Sequence, residues 1–202
     1  MNMCSAAIDM LLKPVASVST GVVSVVSNAG GVATLYVDAS AGGFGNSDTS
    51  PRVYINLGSL MRVDITDKDA PTSKAWDLAI KRPVLFTNDG DGGVGKGGTL
   101  VVAKAFDQVT SADAMGTFAT EAFVDANCNP KMDAAGDVQT TFTNWYNYNQ
   151  ATNALAPKPN TTYVVRGATG TLYKVGIKSY YGLPNGSTGT VGAYYLLEVG
   201  AL

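Results

Sequence analysis

Between Asn88 and Gly98 the chain reads Asn-Asp-Gly-Asp-Gly-Gly-Val-Gly-Lys-Gly-Gly, a glycine loop carrying two carboxylates and one ammonium. Such a loop can cradle a phosphate, hold a hard cation, or only turn the chain. Gly90 to Gly97 nearly fits the phosphate-loop spacing, and Gly93-Val-Gly95-Lys-Gly-Gly98 fits the dinucleotide spacing. Gly97, however, stands where magnesium binding needs a hydroxyl. Both motifs also need a following helix whose N-terminus faces the phosphate, whereas Thr99 onward reads as a strand. Asn88, Asp89 and Asp91 offer oxygens at near-alternate positions, as calcium loops do, but no bidentate glutamate closes the set. The expectation is an irregular strand connection in which glycine supplies positive φ and the aspartates are solvated.

Elsewhere the chemistry-bearing residues are sparse. Histidine is absent, which removes the commonest general base, the commonest haem and zinc ligand and every Ser-His or Cys-His pair. No Gly-x-Ser-x-Gly elbow occurs and the carboxylates are scattered, so no enzyme is expected. Met115 and Met132 read as gap fillers or as soft ligands. Trp145-Tyr146-Asn147-Tyr148, with Tyr163, Tyr173, Tyr180, Tyr181, Tyr194 and Tyr195, reads as cross-strand packing or as the lining of a ligand site. Cys4 and Cys128 could pair in an oxidising compartment, or Cys4 could carry a lipid. The triplets at Asn160 and Asn185 fit a glycosylation pattern that carries weight only in a eukaryotic secreted protein.

The elements that would position these groups are strands. With 202 residues the chain can bury roughly 70% of its unfolded surface. Fourteen Lys+Arg against sixteen Asp+Glu leave a net charge of −2 without like-charge blocks, which excludes the footprint of a nucleic-acid binder. Charged residues are only 15%, a balance that leans toward extracellular β proteins. Met1 to Pro14 has no basic start and holds Asp9 within its apolar run. It reads as a poor signal peptide, and no stretch reaches the ~20 apolar residues of a membrane span, so the chain as given is expected to be soluble. Ser17 to Ser27 and Val32 to Asp38 predict a hairpin, and Arg52 to Leu57 and Leu60 to Thr66 another around Gly58-Ser59. Ala75 to Arg82 and Val84 to Thr87 read as strands bent at Pro83. Thr99 to Phe106, Gln139 to Tyr148, Thr161 to Arg166, Leu172 to Tyr180 and Val191 to Val199 complete the set, and Gln108 to Gly136 is expected to be irregular. The fold class is all-β, a single antiparallel domain of many short strands.

Trp76-Asp-Leu-Ala-Ile-Lys-Arg82, Thr87-Asn-Asp-Gly90 and Gly95-Lys-Gly-Gly98 together resemble the central signature of the HmuY-like haem-binding proteins of bacterial surfaces. Tyr163-Val-Val-Arg166-Gly-Ala-Thr-Gly170, followed by Tyr173-Lys174-Val175, resembles their later strand pair. The likeness runs from about Tyr36 to Tyr181. It implies an exported, often lipid-anchored β domain that captures haem between strand ends and passes it to an outer-membrane transporter. Members of that family hold the iron through two histidines or through methionine. Here the first ligand position falls near Met132 and the second in the loop after Trp145 and Tyr148, where Asn149, Gln150 and Asn153 are poor iron ligands. The resemblance thus implies a site of Met132, Trp145, Tyr148, Asn149 and Asn153, with Met132 on the iron and Tyr148 or water opposite.

A competing expectation starts from the nearly uncharged run Val15 to Val26, which lies outside the resemblance. Residues 1–30 would then be an assembly arm and residues 31–202 the β domain, with copies joined by strand addition after the scaffold had lost haem. A sugar-binding module using Trp145 and its tyrosines ranks third.

Overall fold

In the strands Val53–Asn56, Leu78–Lys81 and Val84–Thr87, side chains on both faces are buried, so two layers must cover one sheet. The structure, a computed structural model, describes residues 3–202. In chain order it comprises helix α1 (Ser5–Leu12) and strands β1 (Val23–Ala29), β2 (Val32–Asp38), β3 (Val53–Asn56), β4 (Met61–Val63), β5 (Leu78–Lys81), β6 (Val84–Thr87), β7 (Gly98–Val102), β8 (Tyr146–Asn149), β9 (Ala154–Pro157), β10 (Thr162–Arg166), β11 (Leu172–Ser179) and β12 (Tyr194–Ala201). Six strands form one sheet in the order β1-β2-β12-β11-β10-β7, four form a second in the order β4-β3-β5-β6, and β8-β9 is a separate ribbon. Every pair of neighbouring strands is antiparallel.

The two larger sheets enclose the main core. Val53, Ile55, Leu78, Ile80 and Leu85 from one meet Leu35, Val37, Tyr163, Val165, Val175 and Leu197 from the other. The alternate residues Tyr54, Ala79 and Phe86 face outward into a second core with Trp76, Phe123, Ile8 and Cys4. Trp76 is fully buried, its Nε1 donates to the Ala70 carbonyl at 2.9 Å, and its ring meets Tyr54 and Phe86 edge-on. α1 lies over this outer core through Ala7, Ile8, Leu11 and Leu12. An eight-residue helix is marginal alone, so packing and the Cys4–Cys128 disulfide hold it. Lys13 ends it in the left-handed region, with its N–H on the Asp9 carbonyl, immediately before Pro14. This helix carries no amphipathic run long enough to be read from the sequence.

The antiparallel all-β class and the first two hairpins stand as expected, with three corrections. Arg82-Pro83 is not a bend in a strand but the two-residue turn of a hairpin. Lys81 pairs with Val84 and Arg82 takes φ +51°, a place where proline's missing donor costs nothing. The strand expected to reach Phe106 stops at Val102, and Phe106 turns in a 3₁₀ segment under the Lys174 ammonium, 4.6 Å from its ring centroid. β9 was not anticipated, and the aromatic strand is confined to Tyr146–Asn149 because Thr141 to Asn144 are occupied by turns. The segment 108–136 is irregular, as expected, apart from one short 3₁₀ turn and isolated bridges.

Cys4 pairs with Cys128 across 124 residues, which leaves its sulfur without a thiol to carry a lipid. Part of the Val15 to Val26 run is tied into the chain. The Val15 carbonyl accepts from Asp67 N–H, that of Val22 accepts from Asp38 N–H, and β1 pairs with β2 through a register shift between Val25 and Ser27. β1 is an edge strand, with one side open. Among the described residues no helix is long and apolar enough to cross a membrane.

Candidate functional site

The glycine loop is built around Asn88. This fully buried residue donates from Nδ2 to the carbonyls of Ser73 and Trp76, both at 2.8 Å, while its Oδ1 accepts from Gly95 N–H and its carbonyl accepts from Gly97 N–H. A Cβ at Gly93 would lie 2.2 Å from Asn88 Oδ1. The loop's glycines are thus set by close approach to Asn88 as well as by turn geometry. Asp89 and Asp91 are not solvated as expected. Asp89 accepts from Thr87 Oγ1 and Glu121 N–H, and Asp91 accepts from the N–H groups of Phe123 and Val124. Asp77, inside the Trp76 to Arg82 stretch, accepts from Leu57 and Ala168 N–H, both at 2.8 Å, and so ties the two sheets together. These residues hold the scaffold.

A cleft of about 1490 Å³ opens at the end of the sandwich where α1, the β5–β6 turn and the β8–β9 ribbon meet. Met10, Leu11, Leu12 and Lys13 line it from the end of α1, Phe44 and Asp48 from the 3₁₀ turn Phe44–Thr49, and Lys81 to Val84 from the β5–β6 turn. Met132 enters from the irregular segment, Tyr146 and Tyr148 from β8, and Tyr180 and Tyr181 from the end of β11. Its walls carry unusual apolar exposure for side chains of this kind: Phe44 is 86% exposed, Met10 80%, Tyr148 53% and Met132 48%.

The structure brings Met132, Tyr148 and Asn153 together on this cleft. Tyr148 Oη donates to Asn153 Oδ1 at 2.5 Å, which orients the phenol. Trp145 lies one layer behind the lining. It is buried, its Nε1 donates to the Pro83 carbonyl at 2.8 Å, and it packs on Tyr146, Tyr180 and Tyr195. Asn149 stands outside the cleft, with Oδ1 accepting from the N–H groups of Ala151 and Thr152 to shape the ribbon's turn.

Charge is distributed unevenly around the rim. Burial first, then Asp133, pushes the Asp137 carboxyl up, while Arg82 draws it down. Burial pushes Tyr180 up to about 12 and also raises Tyr146, with Asp133 and Asp137 adding to the latter, so these two phenols stay protonated. The cleft is large and lined by both apolar and charged side chains, and its lining includes a thioether and phenols, soft and hard donor types respectively. Met10, Phe44, Lys81 and Arg82 were not singled out from sequence. Lys81 and Arg82 sit inside the Trp76 to Arg82 stretch, where a basic pair beside a proline turn is the one hint, and the Arg82 guanidinium covers the Phe44 ring at 5.6 Å.

The sequence profile of the HmuY protein family matches residues 48–195. No curated protein matches the chain at a significant level. Among solved structures, a candidate lipoprotein from Bacteroides fragilis NCTC 9343 aligns with a TM-score of 0.55 at 19% identity, over 87% of this chain and 93% of its own. The apo HmuY analogue of Tannerella forsythia gives 0.55 at 14% identity, over 91% and 98%. A candidate HmuY-like haem-binding protein from Bacteroides vulgatus ATCC 8482 gives 0.51 at 18% identity, over 84% and 91%. Those identities speak for a shared fold, and the profile, spanning most of the chain, for shared descent: the chain belongs to the HmuY family.

Proposed function

We propose that this protein is an exported, non-enzymatic carrier of haem or a similar tetrapyrrole, which it holds in the end cleft without histidine. The observation that carries this reading is the cleft itself, with about 1490 Å³ of space and a lining that includes Met132 and Tyr148 beside the exposed apolar side chains of Met10 and Phe44. A thioether and a phenol are both known kinds of axial haem ligand, so the donor set fits the group. Met132 would hold the iron from one side, with Tyr148 or a water opposite, while Asn153 fixes the phenol and Trp145 supports the floor. The bound group would supply only its own affinity and colour. The protein's residues bind, orient and shield it. Likeness to a candidate lipoprotein and the Cys4–Cys128 disulfide both suit a carrier outside the cytosol that delivers its cargo to an outer-membrane transporter.

Absorbance titration with haemin, oxidised and then reduced, tests the reading. The expected result is a saturable Soret shift that in Met132→Ala is weakened at least about tenfold, a loss of roughly 1.4 kcal/mol. A full shift in the variant would move the ligand elsewhere, and no shift in either protein would end the haem assignment.

A further inference from the structure

The wall of the cleft between α1 and the β5–β6 turn is cationic, formed by Lys13, Arg52, Lys81 and Arg82. Three of these charges are engaged. Lys13 Nζ pairs with Asp48 Oδ2 at 2.6 Å, Arg82 Nη1 donates to the Ser40 carbonyl, and Arg52 donates to Asp67 Oδ2 at 3.3 Å and to the Leu12 carbonyl at 2.8 Å. Among the described residues Lys81 makes neither a hydrogen bond nor an ion pair, although it is half-buried. Burial first, then the Arg52 guanidinium and more weakly Lys13, push its ammonium down to about 8, against the pull of Asp67 and Asp48. Arg52 is only 6% exposed, and its Nε is a buried polar atom with no partner. A lone ammonium and an orphaned guanidinium nitrogen on one wall are what a bound anion would satisfy. Met10, Leu11, Phe44 and Val84 flank them with apolar surface, so the anion belongs to a ligand with a greasy body.

We propose that this wall is a carboxylate subsite, in which Lys81 Nζ, backed by Arg52, receives an acidic side arm of the flat ligand. The subsite rests on the tetrapyrrole reading and deepens it, because it makes the propionate arms a recognised feature and sets which edge of the macrocycle enters toward α1. Neutralising the arm's charge at Lys81 also removes the electrostatic cost of holding that ammonium beside Arg52.

The test compares haemin with haemin dimethyl ester, which has the same ring and iron but no carboxylates, on the wild type, Lys81→Met and Lys81→Arg. Wild type is expected to bind haemin at least about tenfold more tightly than the ester. Lys81→Met should weaken haemin alone and erase that difference, while Lys81→Arg should keep most of it. Ester binding that is unchanged in Lys81→Met serves as the control for folding. Equal binding of the two ligands by wild type, or a preference that survives in Lys81→Met, overturns the subsite and leaves the haem reading standing. Binding of neither ligand overturns the haem reading, and the subsite with it.

Discussion

Glu121 is a buried carboxylate outside the cleft, only 2% exposed, and its two oxygens stitch three segments together. Oε1 accepts from Thr87 N–H at 3.0 Å and Thr141 Oγ1 at 2.6 Å, and Oε2 from Thr141 N–H at 3.0 Å. Burial nevertheless raises its carboxyl from 4.5 to about 7, with Asp89 adding to the rise, because these hydrogen bonds only partly replace water. A folded form that holds the proton more tightly than the unfolded chain is most stable below pH 4.5 and loses that advantage as pH rises through 7. The contribution is on the order of 3 kcal/mol. Glu121→Gln is expected to flatten this part of the pH profile in urea denaturation. It should also cost about 1–3 kcal/mol, since either oxygen replaced by NH₂ would face a backbone donor. A variant that kept the full slope between pH 4.5 and 7 would assign the dependence to another group. Little of this was legible beforehand. Met132 and Tyr148 entered as candidate donors through the resemblance, and nothing local distinguishes Glu121 or Lys81 from solvated charges. Their character comes from burial and from partners twenty or more positions away, such as Thr141 for Glu121 and Arg52 for Lys81.

At the scale of elements, the glycine loop shows how a motif can be read correctly as a connection and still be misread in detail. Phosphate was set aside because a strand follows, and calcium because no bidentate glutamate closes the set; β7 does follow. The aspartates expected in water bind backbone amides instead. A Cβ at Gly95 would stand 2.3 Å from the Asn88 carbonyl oxygen and 2.9 Å from Ala168 Cα, both backbone atoms with little room to yield. Gly95→Ala is therefore expected to lower stability by about 1–3 kcal/mol. Gly45→Ala, with nothing within 4 Å, should stay within about 0.5 kcal/mol. Equal denaturation midpoints for the two variants would show that the loop relaxes freely. Strand identity was legible because short apolar runs stand between turn residues, as in Val53-Tyr-Ile and Leu78-Ala-Ile. Turn placement at Arg82-Pro83 was not, because a proline between two apolar runs fits a bend as well as a hairpin. Short apolar α1 and the ribbon strand β9 carry too few residues for either period to declare itself. The register shift between Val25 and Ser27 lies in the pairing of β1 with β2, and irregularities of this kind on an edge strand are a feature by which sheets guard their edges.

The whole molecule is a three-layer arrangement in which α1 and the segment around Phe123 cover the outer face of the four-stranded sheet, and one disulfide joins them. That bond also pins two sides of the cleft, because α1 supplies Met10 to Lys13 and Cys128 lies four residues before Met132. Reduction, or replacement of both cysteines by alanine, is expected to lower unfolding stability by about 2–5 kcal/mol, read as a drop in Tm. An unchanged Tm would mean that packing alone holds the helix. The architecture was legible as a class, whereas the disulfide was left open against lipidation, because two cysteines so far apart in sequence say nothing of their distance in space. In covalent terms, residues 4–128 form a closed ring from which the C-terminal strands hang as a tail. A protease that cuts the exposed turn near Met115 therefore releases nothing: the two pieces migrate as one chain until a reductant separates them.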